Sequence, residues 1–274
     1  MFLALALISS LVWGMGDFIG GIATRKTQAM VVVALSQAVG LVSVLLYGLV
    51  ARPVWDWAVW PWALLASAGG ALGLTAFYQA LAIGRMGIVS PIASMGVVVP
   101  LFAGLLSGEQ PSSWQLIGMF IGVVGVVFAS GPELSGGTGV KPVLLAGVAA
   151  AGFGVAMYAI AKGADYSVFS TTVLMRASTV SVLLVVVPLT MGFSSAKGAN
   201  WLLLGAAGFL DVTANVTFGI ASTMGLLSVV SILGSLYPVV TALMAAWLLH
   251  ERLLRVQYVG AFLTILGVCA IAAG

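Results

Sequence analysis

The sequence predicts an all-α integral membrane protein, with ten transmembrane helices arranged as two inverted five-helix repeats around a central cavity. Three observations indicate this fold: an extreme apolar composition, charges confined almost entirely to short breaks, and an internal repeat. Of the 274 residues, 62% are hydrophobic and 6% are charged, whereas soluble domains carry about 25% charged residues. So few charges cannot cover the surface of a water-soluble fold.

The apolar stretches between the breaks have the length of membrane-spanning helices. A helix needs ~20 apolar residues to cross a bilayer, whereas a transmembrane strand needs ~9–11 residues in strict alternation, and that alternation is absent. We therefore expect spans, in chain order, at residues 2–23, 28–50, 60–82, 87–107, 113–131, 142–161, 167–190, 200–221, 226–249 and 255–273.

The two halves of the chain repeat each other. Residues match at an offset of 138 as far as the prolines and at 142 beyond them. The matched pairs include Gly14/Gly152, Thr75/Thr213, Pro100/Pro238, Glu109/Glu251 and Gln115/Gln257. We predict a first repeat at residues 1–132, a linker at 133–140 and a second repeat at 141–274, since the longest glycine-containing break lies between them.

An odd number of spans in each half has a topological consequence. The second half enters the membrane from the opposite side, which makes the repeat inverted. Inverted repeats are typical of secondary transporters, whose substrate site lies near the bilayer midplane between the repeats. A duplicated scaffold without transport activity is the alternative.

Three segments resemble a known family. These are Trp13-Gly14, the run from Phe77 to Pro100 and the run from Gly225 to Leu253, which are similar to the EamA repeats of the drug/metabolite transporter superfamily. The resemblance implies a ten-helix basket that exports metabolites or drugs from a bacterial-type inner (plasma) membrane. In size and layout the chain is similar to YddG-type exporters, which implies aromatic amino acids as the substrate.

Three charged residues fall inside predicted spans, where each is costly in hydrocarbon. For Asp17 and Asp211, a role in substrate recognition or proton coupling competes with an internal ion pair. For Arg176 we favour an ion pair or a snorkelling side chain, because we expect the seventh span to be peripheral. Neither aspartate is repeated in the other half, so the shared scaffold does not require them.

An amino-acid substrate needs donors and acceptors for its charged groups and, if aromatic, a ring-lined slot. We expect such a cavity between spans 1, 3, 4, 6, 8 and 9. The predicted substrate-binding residues are Trp13, Asp17, Tyr78, Gln79, Ser94, Tyr158, Asp211, Asn215, Thr217, Ser231, Ser235 and Tyr237. For each polar residue alone, a helix–helix hydrogen bond is the plain alternative.

Prolines inside spans predict hinges. Proline removes a backbone donor and kinks a helix, so we predict hinges at Pro91, Pro100 and Pro238. Static bends that help packing are the alternative. Pro100 lies nine positions before Glu109, whereas Pro238 lies thirteen before Glu251, which predicts a shorter fourth span.

Other classes of function lack support in the sequence. One histidine and one cysteine, Cys269, cannot form a metal site or a disulfide, and no P-loop, dinucleotide fingerprint or catalytic constellation is present. The scattered basic residues do not indicate nucleic-acid binding. We expect no enzymatic activity, cofactor or metal, and a functional monomer that handles a small-molecule substrate in the lipid bilayer. An organic-cation or drug exporter and a membrane scaffold stay as alternatives.

The sequence leaves two alternatives for the side of the membrane that both termini face. Loops after odd-numbered spans hold seven basic residues and loops after even-numbered spans hold two, which by the positive-inside rule places both termini outside the cytoplasm. The family resemblance implies the reverse.

Overall fold

The computed structural model describes residues 1–84, 86–129, 139–191, 199–248 and 254–274. Regular structure in these ranges is entirely helical, because a chain in lipid must satisfy its backbone hydrogen bonds internally. The predicted linker at 133–140 lies outside the described residues up to position 138.

Twelve α-helices occupy the described residues. They are α1 (Phe2–Ala23), α2 (Ala29–Ala51), α3 (Trp60–Ile83), α4 (Met86–Ser94), α5 (Val98–Leu106), α6 (Ser113–Ala129), α7 (Val140–Ala164), α8 (Val168–Met191), α9 (Trp201–Ser222), α10 (Leu227–Gly234), α11 (Tyr237–Leu248) and α12 (Arg255–Ala273). In the described part of the chain, eight segments are long and apolar enough to cross a membrane, and two shorter apolar helices complete the ten predicted spans. The predicted fourth and ninth spans each consist of two helices, α4 with α5 and α10 with α11.

The outer surface of the bundle is apolar. Large hydrophobic side chains such as Phe120 and Leu189 are 72% and 81% exposed. Apolar surface on this scale indicates contact with lipid. The all-α membrane fold predicted from composition is confirmed.

Helices that correspond at the offset of 138 make corresponding contacts. Helix α1 packs along α9 and also contacts α10 and α11, whereas its equivalent α7 packs along α3 and also contacts α4 and α5. The last helices of the two halves, α6 and α12, pack against each other. Each half therefore surrounds the first helix of the other half.

The helix breaks in the fourth and ninth spans lie just before the predicted hinge prolines. A 3₁₀ turn at Met95–Val97 separates α4 from α5, and Ser235 and Leu236 separate α10 from α11. Pro100 and Pro238 follow in the first turn of α5 and α11, where the missing amide donor is tolerated. Pro91 lies inside α4.

The helix after the break is shorter in the first half. Helix α5 has nine residues, whereas α11 has twelve within the described part of the chain. The prolines therefore mark equivalent breaks that are followed by unequal helices, in line with the unequal spacing to Glu109 and Glu251.

Glycine allows α7 to approach the break in the fourth span. A Cβ atom on Gly96 would lie 2.2 Å from the carbonyl oxygen of Ala150, and one on Gly154 would lie 2.3 Å from the carbonyl oxygen of Gly96. Real Cβ atoms do not approach so closely, so backbone contact at this point requires glycine in both segments.

This contact predicts the effect of one methyl group. We expect Gly96→Ala to destabilise the protein by about 1–3 kcal/mol, because the backbone of α7 must move to accommodate the Cβ. Gly147→Ala, on the same α7, is the matched control, since its Cβ would have nothing within 4 Å. Thermal stability of both variants in mild detergent provides the measurement, and equal stability would contradict the described contact.

Candidate functional site

A small cavity lies in the interior of the bundle. Its volume is about 80 Å³, below the ~300–1,000 Å³ that is typical of ligand pockets. Helices α1, α2, α3, α7, α8, α9 and α11 line it. The lining residues are Trp13, Asp17, Gln37, Ala66, Gly70, Ala71, Leu74, Phe153, Ala156, Met157, Ile160, Met175, Arg176, Thr179, Asp211, Asn215 and Tyr237.

An ion pair with two amides forms the polar side of the cavity. Nη1 of Arg176 lies 2.6 Å from Oδ2 of Asp211 and also donates to Oε1 of Gln37. Nε2 of Gln37 donates to the same Oδ2 at 2.9 Å, and Nδ2 of Asn215 donates to the backbone oxygen of Asp211 at 2.7 Å. Arg176 is fully buried. Helices α2, α8 and α9 are thus joined by one charged cluster.

Asp17 adds a second carboxylate to the cavity wall. The residue is 9% exposed and makes no hydrogen bond or ion pair with any residue that the structure describes. Its neighbour Gly16 lies against the backbone of Asp211, where α1 packs on α9. The cavity therefore brings together two carboxylates and one guanidinium, and only one carboxylate is paired.

Aromatic rings form the apolar side. Trp13 packs on Phe218 with ring centroids 5.4 Å apart, and Phe153 packs edge-on against Tyr237 at 6.5 Å. The hydroxyl of Tyr237 is buried without a partner among the described residues. A ligand in this cavity would contact rings on one side and charges on the other.

The cavity includes some of the predicted binding residues and leaves out others. Trp13, Asp17, Asp211, Asn215 and Tyr237 line it. Tyr78, Gln79, Ser94, Tyr158, Thr217, Ser231 and Ser235 do not.

The residues outside the cavity have other surroundings. The Tyr78 hydroxyl lies against Gly20 of α1, and the Tyr158 ring packs edge-on against Trp62. The hydroxyl of Thr217 donates to a backbone carbonyl of its own helix, and the hydroxyl of Ser235 donates to the backbone carbonyl of Ile232 in the preceding α10. The contacts of Tyr78 and Tyr158 join different helices, whereas the hydrogen bonds of Thr217 and Ser235 stay within one span. Gln79 is half-buried on α3, and Ser94 and Ser231 are buried.

The predicted set of lining spans needs two corrections. Among the side chains that the structure describes, span 4 contributes none to the lining, and its break packs against α7. Spans 2 and 7 contribute Gln37, Met175, Arg176 and Thr179 instead. The seventh span is therefore not peripheral, and Arg176 forms its internal ion pair at the cavity. The isolated amide Gln37 in an apolar span was a sequence signal for this position.

A carboxylate of the first half caps a helix of the second half. The Glu109 side chain follows α5 and accepts hydrogen bonds from the backbone N–H groups of Leu227, at 2.7 Å, and Ser228, at 2.9 Å. These groups begin α10, and a helix N-terminus favours negative charge. The equivalent residue of the second half, Glu251, lies outside the described residues.

A second, larger groove of about 500 Å³ lies between α2, α8 and α9. Its lining is mainly apolar and includes Tyr47, Phe169 and Phe209, together with the predicted site residue Thr217. None of the described residues that line this groove is charged, so recognition of a charged solute is better supported in the central cavity.

The sequence profile of the EamA-like transporter family matches residues 1–131 and 139–273. The chain belongs to the EamA-like transporter family. As a member of this family and of the drug/metabolite transporter superfamily, it is a multi-pass membrane protein that transports small molecules.

Comparison with solved structures supports the fold of this EamA-family transporter. One crystal structure superimposes with a TM-score of 0.79 and 18% sequence identity, over 98% of this chain and 94% of the other. At that identity the likeness concerns the fold alone. A search of curated proteins gave no significant match.

Proposed function

We propose that this protein is a secondary transporter that exports small metabolites, with aromatic or hydrophobic amino acids as the best candidates, and that it has no enzymatic activity. The observation that carries the proposal is the central cavity, in which the unpaired carboxylate of Asp17, the guanidinium of Arg176 and the rings of Trp13 and Tyr237 meet. An aromatic amino acid combines an ammonium, a carboxylate and a ring, and each would find a complementary group here.

Alternating access between two inverted repeats, at residues 1–132 and 141–274, is the proposed mechanism. The corresponding contacts of α1 and α7 support it, because two similar halves can exchange conformations. The breaks before Pro100 and Pro238 are the proposed hinges, with Pro91 as a third position in α4.

The proposed setting is a bacterial-type inner membrane, with the monomer as the functional unit. The close packing of α6 on α12 supports a monomer, because a Cβ on Gly118 or Gly267 would lie within 3 Å of backbone atoms of the opposite helix. These glycines are used within one chain and not between copies.

Transport by purified protein in liposomes tests the proposal. We expect labelled phenylalanine, tyrosine or tryptophan to cross faster than in empty liposomes, with unlabelled aromatic amino acids competing. Charged amino acids such as aspartate provide the matched negative set. Uptake equal to empty liposomes across a panel of amino acids would reject the substrate.

Export of organic cations or drugs is the second candidate function. It is favoured by the buried carboxyl group of Asp17, which lines the cavity and has no cationic partner among the described residues. Aromatic amines and quaternary ammonium ions in the same panel separate the two candidates. Transport of the amines without transport of amino acids would favour the cation exporter.

A further inference from the structure

One edge of the Arg176 guanidinium is occupied and the other is free. Nη1 donates to Gln37 and Asp211. Nε and Nη2 are buried and have no hydrogen-bond partner among the described residues. A buried donor that loses its partner costs about 1–3 kcal/mol, and more when it is charged. Two such donors on a residue that lines a cavity indicate a missing acceptor.

The geometry of the free edge selects the acceptor. The N–H groups of Nε and Nη2 are nearly parallel and lie in one plane, so they fit the two oxygens of a carboxylate in a bidentate pair. A single carbonyl or water oxygen satisfies only one of them well. The carboxylate of Asp211 does not serve this edge, because its contact is with Nη1.

We propose that the Nε/Nη2 edge of Arg176 binds the carboxylate of the transported substrate while Asp17 accepts its ammonium group. The inference rests on the proposed function and specifies the substrate as a zwitterionic α-amino acid. Both residues line the same cavity, and Asp17 has no described hydrogen bond or ion pair. The substrate thus supplies a partner to the free guanidinium edge and to the Asp17 carboxyl group without disturbing the Arg176–Asp211 pair.

The arrangement predicts which ligands are rejected. A substrate that lacks the carboxylate leaves the guanidinium edge unpaired, and a site built around a polar group discriminates strongly against ligands that lack it. We therefore expect L-phenylalanine to bind more tightly than L-phenylalaninamide, which has the same ring and ammonium but a neutral amide.

A double-mutant cycle between ligand and protein tests the inference. Binding of L-phenylalanine and L-phenylalaninamide is measured by calorimetry with the full chain in detergent, for wild type and for Arg176→Lys. Lysine retains a cation beside Asp211 but lacks the two-donor edge. We expect the variant to bind phenylalanine about 10- to 100-fold more weakly and phenylalaninamide within about twofold of wild type.

Two further variants keep the test decisive. Arg255→Lys makes the same exchange at the start of α12, outside the cavity, and should leave both affinities unchanged. If Arg176→Lys does not fold, Arg176→Gln combined with Asp211→Asn removes both charges together and should abolish the preference for phenylalanine over its amide.

The outcomes separate this inference from the proposed function. Equal losses for both ligands, or no loss for either, overturn the carboxylate site even when liposomes show amino-acid transport. Binding and transport of the amide but not of phenylalanine also overturn it and leave a cation transporter. If liposomes show no transport of any solute but the cycle gives the expected difference, the carboxylate site stands and the transport proposal falls.

Discussion

Asp211→Asn should lower the free energy of unfolding by about 3–5 kcal/mol, because it removes the carboxylate that contacts the buried Arg176 cation. Arg176 is fully buried, and its ion pair with Asp211 is 2.6 Å long. Gln37 would remain as a neutral partner, which cannot balance the charge. Reversible chemical unfolding in mild detergent measures the loss.

The double variant is the control for this prediction. Arg176→Gln with Asp211→Asn removes both charges and should cost less than Asp211→Asn alone, since no isolated charge remains. Transport should fail in the single variant and in the double variant. If the single variant is as stable as wild type, the ion pair does not hold α8 to α9.

Glu109→Gln should favour opening of the helix bundle at the start of α10. The substitution removes the negative charge and one of the two acceptor oxygens that cap α10. A hydrogen bond to a charged group contributes about 1.5–3 kcal/mol, so the open population should rise at least about tenfold. We also expect slower net transport, because the closed state is held less tightly.

Thiol labelling can measure this opening. Cys269 is the single cysteine of the chain, so Cys269→Ser gives a cysteine-free background. Val229→Cys then places a reporter at a fully buried position of α10. Asp165→Asn, which neutralises an exposed loop carboxylate, is the matched control and should not change the labelling rate. An unchanged rate in Glu109→Gln would falsify the role of this cap.

The spans could be predicted from the sequence because charge and hydropathy leave few alternatives for a chain in lipid. The breaks could also be located to within a few residues, since Pro100 and Pro238 interrupt equivalent helices. The first turn of a helix tolerates a proline, so each break lies just before its proline, which falls in the first turn of the next helix. The distance of a few residues between each break and its proline therefore follows from the local properties of proline.

The binding site was harder to predict because the helices are apolar on every side. In a soluble helix the polar face marks the surface, but here lipid-facing and core-facing residues have similar hydropathy. Arg176 was expected on a peripheral helix, whereas it faces Gln37 and Asp211, which are distant in sequence. Tyr158 and Thr217 have the residue types of a binding site, but their rotation about the helix axis directs them to other contacts.

The buried Arg176–Asp211 pair also bears on how the protein enters the membrane. Insertion of an arginine at the centre of a helix costs about 2.5–3.5 kcal/mol on the translocon scale. The ion pair cannot offset this cost until α9, which contains Asp211, has also been synthesised. The two helices should therefore partition into lipid as one hairpin, and truncation of the nascent chain before Asp211 should leave α8 poorly inserted.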